Sequence, residues 1–315
     1  MSPTLVILAA GIGRRFGGCK QLEAIGPGAA TIVDYSVYDA WLAGFGQVVL
    51  VIRPEIEGVV RESLGRRIER HVPVAYALQR LDDLPAGFVL PRGRTRLWGT
   101  AHALLSAANV VEQPMAVINA DDFYGPEPFR ILREFLRSQE PDSEAQMPRA
   151  APPVAAPVTF AMVGYRLDHT LPATGTVARA VCRCGVDGWL AHIVEIERIS
   201  RTGDDGRYED PSGQTRSLPG STLVSMNLWG FTPAIFAQLK AGFSEFLHRH
   251  GGSPDAEYYL PAVVQAGIDA GHTRVRVLPT SAAWCGVTNP SDAAAVRAMI
   301  HALVARGDYP EQLWH

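Results

Sequence analysis

The first half of the chain alternates short, continuous apolar runs with longer segments in which apolar residues recur every three or four positions. Continuous runs of this kind are typical of strands that are buried on both faces of a parallel sheet. They cover residues 4–10, 47–52, 74–78 and 115–119. The spacing between them predicts helices over about 31–43, 54–70 and 99–108. Because strands and helices alternate in this way, we expect βαβ units and a sheet with helices on both faces.

The second half is richer in predicted strands. Strands are predicted over 158–163, 176–183, 189–196, 221–231 and 273–278, and helices over 256–270 and 291–306. Residues 139–157 are rich in Pro, Ala, Glu and Ser without periodicity, so we expect a flexible loop there. We predict a single domain over 1–315 with a three-layer α/β/α fold and a mixed, mostly parallel central sheet. Its two halves, 1–138 and 158–315, belong to this one fold.

Composition and charge narrow the class of protein. Hydrophobic residues make up 47% and charged residues 19% of the 315 positions, which fits a packed globular protein. The 29 Lys and Arg nearly balance the 32 Asp and Glu, so we expect neither nucleic acid nor a membrane as a partner. Four cysteines do not amount to a disulfide framework. The N-terminal apolar stretch lacks a basic segment and is interrupted by glycines, so we expect a cytoplasmic protein without a signal peptide or anchor.

A glycine-rich loop follows the first predicted strand. It contains Gly11, Gly13, Gly17 and Gly18, with Arg15 and Lys20 among and just after them. Glycines let backbone N–H groups approach phosphate oxygens, and the two cations can neutralise phosphate charge. The glycine spacing fits neither a dinucleotide-binding fingerprint nor a Walker A loop, because Phe16 stands where the former needs its third glycine and Gln21 follows Lys20. An oxidoreductase of the Rossmann type is therefore disfavoured.

The stretch Leu8-Ala9-Ala10-Gly11-Ile12-Gly13-Arg14-Arg15, followed by Lys20-Gln21-Leu22, resembles the N-terminal signature of sugar-phosphate nucleotidyltransferases. The resemblance is nearest to N-acetylglucosamine-1-phosphate uridylyltransferases and to glucose-1-phosphate uridylyl- and thymidylyltransferases. It implies a Rossmann-like, glycosyltransferase-A-like fold. It also implies that Leu8, Ala10, Gly11 and Gly13 bind nucleotide and that Arg15 and Lys20 are catalytic.

Further stretches resemble the same family in the same order. Gln79 resembles a glutamine that reads the pyrimidine base, and Gly99 and Thr100 belong to a G-T-x-x-A element that contacts the nucleotide. Asp121, after a strand, resembles the family's Mg²⁺ ligand, and carboxylates are ligands that this ion prefers. We assign the neighbouring Asp122 to capping the helix that begins near Pro126. Between these stretches, Arg92, Arg94 and Arg96 either close over the triphosphate or belong to a solvated loop.

In the second half, the resemblance implies a sugar-binding site made of Gly175, Glu195 and Asn227. The chain departs from the family at two points. Ile196 stands where some members have a lysine that grips the sugar phosphate, and either Arg198 or the Arg14/Arg15 pair is a candidate to compensate. No aspartate stands within 284–290, where a second metal ligand is expected, so Asn289 and Thr288 are the candidates and Asn289 is our assignment.

The implied activity is nucleotidyl transfer. A nucleoside triphosphate, with UTP favoured, would condense with a sugar 1-phosphate in a Mg²⁺-dependent in-line attack that releases pyrophosphate. The sequence leaves open a cytidylyl- or guanylyltransferase that acts on a non-sugar phosphate, and a catalytically silent protein that binds nucleotide sugars. It also leaves a homo-oligomer open. A chain of 315 residues has no room for the β-helical acetyltransferase domain of some relatives, so we expect no acyl transfer.

Overall fold

Eleven strands of the computed structural model form one large sheet, within the residues that it describes, 2–11, 22–139, 156–287 and 290–314. The strands of the first half are β1 (Thr4–Leu8), β2 (Gln47–Ile52), β3 (Val74–Leu78), β4 (Met115–Asn119) and β5 (Asp122–Phe123). Those of the second half are β6 (Val158–Arg166), β7 (Thr176–Cys184), β8 (Leu190–Thr202), β9 (Asp205–Glu209), β10 (Thr215–Leu218), β11 (Leu223–Phe231), β12 (Thr273–Thr280) and β13 (Cys285–Gly286).

The centre of the sheet is parallel, as the continuous apolar runs predict. Strands β4, β1, β2 and β3 are neighbours in that order, and all three pairings are parallel. On the other side of β4, the strand β11 is antiparallel and leads to an antiparallel extension through β7, β8, β9 and β10. Strand β6 pairs with β11 and, in parallel, with β12. The carboxyl ends of the four central strands therefore meet at one edge of the sheet.

Helices cover both faces of the sheet, which confirms the three-layer α/β/α architecture. The helices are α1 (Ile32–Leu42), α2 (Glu57–Val60), α3 (Arg66–Ile68), α4 (Thr100–Leu105), α5 (Pro126–Ser138), α6 (Ile235–His250), α7 (Leu260–Asp269) and α8 (Pro290–Ala305), with a π turn at Arg61–Gly65. Side chains alternate along each strand, so Leu5 and Ile7 pack in the core with α1 and α5, whereas Val6 packs with α4, α6 and α7. Each face thus buries its own apolar cluster.

Two regions differ from the prediction. Helix α6 was not predicted, although its buried residues Ile235, Leu239, Phe243 and Leu247 recur every fourth position. The hairpin of β9 and β10 was not predicted either. Most of its residues are exposed, so its sequence does not alternate between apolar and polar residues. The structure describes only residues 139, 156 and 157 of the predicted loop over 139–157, so that prediction lies largely outside the described residues.

None of the helices in the described ranges combines the length and the apolar character that a membrane crossing requires.

A third apolar cluster joins α1 to the end of the chain. Tyr309 is buried among residues of α1, α8 and β5, and its hydroxyl donates a 2.7 Å hydrogen bond to the Asp39 carboxylate. Asp39 is 2% exposed, and this burial raises its pKa to about 8. The folded protein therefore holds a proton on Asp39 over a pH range in which the unfolded chain has lost it.

This difference predicts that stability falls as pH rises from about 4 to about 8, because the folded state binds one proton more than the unfolded state in that window. Through this one group, the free energy of unfolding falls by up to ~1.4 kcal/mol per pH unit. Asp39→Asn stays neutral and should flatten the dependence, whereas Asp204→Asn, at an exposed turn, should leave it unchanged. Urea unfolding at a series of pH values measures both. An equal slope in the wild type and Asp39→Asn would contradict the assignment.

Candidate active site

A cleft of about 730 Å³ opens at the carboxyl ends of the parallel strands. We call it the first cleft. Its walls come from residues that directly end or follow strands and from two more distant segments, and they include Leu8, Ala10, Gly11, Arg53, Gln79, Gly93, Thr95, Arg96, Leu97, Gly99, Thr100, Ala103, Asn119, Asp121, Pro254, Asp255 and Glu257. This is where ligands bind in open α/β sheets.

Seven residues that the sequence assigned to nucleotide or metal binding line the first cleft together: Leu8, Ala10, Gly11, Gln79, Gly99, Thr100 and Asp121. Gly13, Arg15 and Lys20 lie outside the described residues, so their roles stay predictions. Arg53 and Asn119 are two of the polar residues of the cleft that were not predicted. Each ends or directly follows a central strand, and that position is the signal that could have identified them.

Gly99 lies where two distant segments touch. Its φ angle is +100°, and a Cβ atom at this position would lie 2.7 Å from the carbonyl oxygen of Tyr258. The Tyr258 carbonyl accepts a 3.0 Å hydrogen bond from the backbone N–H of Ala101, and the Tyr258 N–H donates to the Trp98 carbonyl at 2.6 Å. The glycine thus allows residues 98–101 to pair closely with the loop before α7.

Gln79 is held in one orientation by its neighbours. Its side-chain Nε2 donates to the Gly99 carbonyl at 3.1 Å and lies 3.2 Å from His102 Nδ1. Burial lowers the pKa of His102, so its ring is neutral and carries one N–H. That N–H belongs to Nε2, which lies 3.2 Å from the Asp83 carbonyl, and Nδ1 accepts from Gln79. Both amide hydrogens of Gln79 are therefore used, and its Oε1 acceptor is the group available to a ligand.

The arginines of the segment 80–98 have three different environments. Arg94 is buried and donates to the carbonyl oxygens of Ser253, Leu97 and Ala256 at 2.7–3.2 Å. It is thus neither a triphosphate clamp nor part of a solvated loop, because backbone carbonyls take up its guanidinium. Arg96 lines the first cleft and forms an ion pair with Glu257. Arg92 is exposed.

A second cleft, of about 210 Å³, adjoins the first and shares Thr100 and Asn119 with it. It forms where the edge of β11 passes from one neighbour to another. Strand β11 pairs with β7 at Val224 and Ser225 and with β4 only from Trp229 onward. The lining residues of this cleft are Thr100, Asn119, Asp122, Ala178, Arg179, Ala180, Glu195, Ser225, Met226, Asn227, Tyr259 and Pro261.

Two of the three predicted sugar-binding residues line the second cleft. Asn227 lies in the interruption of β11 with a φ angle of +63°, and its Nδ2 donates to Asn119 Oδ1 at 2.8 Å. Glu195 lies on β8, where desolvation raises its pKa and the nearby Arg179 partly offsets this effect. Gly175 is exposed before β7 and is not among the lining residues of either cleft, so the structure does not bring it to the site.

Asp122 has a different role from the one predicted. Helix α5 begins after Gly125, and no side chain caps it. The assignment of Asp122 as its cap is therefore wrong, because Asp122 lies in β5, which pairs with β13, and the residue is 7% exposed in the wall of the second cleft. Its Oδ2 accepts from Asn119 Nδ2 at 2.9 Å and lies 3.2 Å from the Tyr124 hydroxyl.

The predicted second metal ligand, Asn289, and its alternative Thr288 lie outside the described residues. The chain just before them contacts the acid pair, Asp121 and Asp122, since the Val287 N–H donates to the Asp121 carbonyl at 2.9 Å. Among the described residues, no group of three or more His, Cys, Asp or Glu side chains forms a ready metal site.

Comparisons with known proteins agree with this architecture. Residues 4–156 match the model of the Nucleotidyl transferase family. A comparison with curated protein sequences found no match. The match lies in the N-terminal half of the chain and confirms the predicted class of enzyme, a nucleotidyltransferase.

Three solved structures share the fold over nearly the whole chain. One is a Bacillus anthracis protein assigned as a glucose-1-phosphate thymidylyltransferase, in complex with sucrose (14% identity, TM-score 0.59, 95% of each chain). The others are UDP-glucose pyrophosphorylase with UDP-glucose (13%, 0.58, 96% of this chain and 99% of that one) and the inositol-1-phosphate CTP transferase from T. maritima (13%, 0.58, 95% and 96%). At such low identity the likeness is one of fold.

The contact at Gly99 predicts that Gly99→Ala weakens both folding and nucleotide binding. The added methyl group would meet the Tyr258 backbone and force a residue with a side chain into a positive φ angle. The steric contact and the unfavourable backbone angle each destabilise the folded state by ~1–3 kcal/mol. Gly213→Ala is the matched control, because Gly213 has a φ angle of +79° and a Cβ added there would meet no atom within 4 Å. Urea unfolding and nucleotide titration should show a clearly larger loss for Gly99→Ala; equal losses would contradict the contact.

Proposed function

We propose that this protein condenses a nucleoside triphosphate with the phosphate of a sugar 1-phosphate, which gives a nucleotide sugar and pyrophosphate. The observation that carries the proposal is the pair of adjoining clefts with Thr100 and Asn119 in their common wall. One is large enough for a nucleotide, and the other is smaller and lined by carboxylate, amide and hydroxyl groups that suit a sugar. A phosphate at the junction could then reach a nucleotide in the first cleft. In this proposal the two halves of the chain act as one catalytic domain.

The residues of the first cleft suit a triphosphate and its base. The backbone around Gly11, together with the predicted contributions of Gly13, Arg15 and Lys20, would hold the phosphates. Gln79 would offer its Oε1 acceptor to the base. An acceptor complements the N3–H of a uracil ring, whereas N3 of cytosine is itself an acceptor, and this supports UTP as the favoured nucleotide.

The acid pair suits a divalent cation. Asp121 lines the first cleft, and Mg²⁺ is commonly held by one or two carboxylates together with substrate phosphates rather than by a larger protein cluster. Asp121 would therefore hold Mg²⁺, with Asn289 as the predicted second ligand. When bound, the ion would neutralise negative charge on the phosphates.

The reaction needs no nucleophilic side chain. A phosphate monoester is anionic at neutral pH, so one of its oxygens can attack the α-phosphorus directly while the bond to the β-phosphate breaks and pyrophosphate leaves. The contribution of the protein is to hold the two reactants in line and to stabilise the charge that develops. Glu195 and Asn227 would accept from and donate to sugar hydroxyl groups.

The proposal predicts that Asp121→Asn and Lys20→Ala each lower the turnover number by ~100-fold or more, because each removes charge stabilisation of the reacting phosphates. Lys240→Ala is the matched control for the second variant, since Lys240 is the only other lysine and is exposed on α6. The measurement is pyrophosphate release, with thermal unfolding to show that the variants fold. Near-normal turnover of either variant would refute its assignment.

A screen tests the reaction itself. Each of the four nucleoside triphosphates is combined with sugar 1-phosphates, inositol 1-phosphate and phosphocholine in the presence of Mg²⁺. We expect pyrophosphate release with UTP and a sugar 1-phosphate. Release with CTP or GTP and a non-sugar phosphate would support the cytidylyl- or guanylyltransferase alternative. Tight nucleotide-sugar binding without release in any combination would identify a silent binding protein and reject the proposed activity.

A further inference from the structure

Arg179 is a buried cation that has only neutral hydrogen-bond partners. It lies on β7 and is 9% exposed. Its Nε donates to the Thr170 hydroxyl at 3.1 Å, and its two terminal nitrogens donate to the carbonyl oxygens of Ala178 and Thr170. Its guanidinium carbon lies 4.9 Å from the centre of the Trp284 ring. Ten ion pairs connect described residues, and Arg179 takes part in none of them.

Burying the guanidinium of Arg179 without an anion in contact destabilises the folded protein. A guanidinium loses its hydration when it is buried, and neutral carbonyl groups recover only part of that free energy. Proteins usually offset the cost with a carboxylate in direct contact. Here Asp122 and Glu195 influence the charge of Arg179 electrostatically without forming an ion pair with it. Because Arg179 lines the second cleft, a ligand that enters the cleft can supply the missing anion.

The position of Arg179 in the sheet identifies the kind of anion. In the antiparallel ladder of β7 and β8, Arg179 is directly opposite Ile196. Directly opposed residues project from the same face of the sheet, so the side chains of Arg179 and Ile196 are neighbours there, while only Arg179 lines the second cleft. Ile196 is where the resemblance implies a lysine for the sugar phosphate in some family members. Arg198, one of the residues that the sequence offers to compensate, is exposed and does not line the second cleft.

We propose that Arg179 binds the phosphate group of the acceptor substrate in the second cleft. This proposal rests on the function proposed above. Three of the five N–H groups of the guanidinium have protein partners, and the two that remain, one on each terminal nitrogen, lie in a plane and match two oxygens of a phosphate. The carboxylates of Asp122 and Glu195 repel a phosphate, so the phosphate lies on the Arg179 side and the hydroxyl-bearing part of the substrate lies toward Glu195 and Asn227. The substrate class is thus a phosphate monoester of a polyhydroxylated molecule.

Steady-state kinetics with glucose 1-phosphate test the proposal directly. In Arg179→Met we expect KM for the sugar phosphate to rise at least tenfold, while KM for the nucleoside triphosphate stays within twofold. Arg183→Met is the matched control, because Arg183 is on the same strand, is exposed and does not line either cleft. An unchanged KM for the sugar phosphate in Arg179→Met would overturn the proposal.

A second pair of variants leaves Arg179 and its structural contacts intact. Ile196→Glu places a carboxylate opposite Arg179 and should raise KM for the sugar phosphate by a similar factor, whereas the neutral Ile196→Gln should change it less than threefold. The double variant Arg179→Met with Ile196→Lys restores a cation to the same face and should recover most of the lost affinity. If Ile196→Glu and Ile196→Gln behave alike and Ile196→Lys gives no recovery, Arg179 has a structural role only.

Calorimetric titration with inorganic phosphate separates this proposal from the proposed function. If no combination of substrates releases pyrophosphate, the proposed function fails. Weaker phosphate binding in Arg179→Met than in Arg183→Met would then still show a phosphate site at Arg179. If pyrophosphate is released but Arg179→Met and Arg183→Met bind phosphate equally and have equal KM values, only the assignment of Arg179 is wrong.

Discussion

The hydrogen bond from Asn227 to Asn119 joins the two halves of the chain at the boundary between the clefts. Asn119 ends β4, and Asn227 lies in the interruption of β11. Asn119 also donates to Asp122, whose carboxylate lies beside the buried Tyr124 hydroxyl. In a partly buried polar network of this kind, the loss of one member leaves its partners without a hydrogen bond. The geometry of both clefts therefore depends on a contact between residues that are 108 positions apart.

The elements of the first half could be predicted well, because buried parallel strands have a distinctive sequence pattern. The run 47–52 coincides with β2, and the runs over 74–78 and 115–119 coincide with β3 and β4. Residues at strand ends could be predicted for the same reason, and Gln79 and Asp121 line the first cleft together. Helix α6 was missed even though its apolar residues recur every fourth position.

Several polar residues of the site could not be predicted, because their significance depends on burial. Asp122 and Arg179 are ordinary polar residues in the sequence, and only the fold turns them inward. Arg94 was grouped with its neighbours Arg92 and Arg96, yet backbone carbonyls from residues 253 and 256 surround it. Which member of a basic or acidic cluster becomes buried is decided by contacts with segments far away in the chain, and local sequence carries no record of them.

The pairing of residues 98–101 with the loop before α7 has a consequence for how the molecule can be divided. The family match ends at residue 156, but Pro254, Asp255 and Glu257 form one side of the first cleft. A fragment cut at the end of the match would keep the strand ends that line the first cleft and lose the opposite wall, together with two of the three carbonyl groups that receive Arg94. We therefore expect that the segment that matches the family model does not form a complete first cleft on its own.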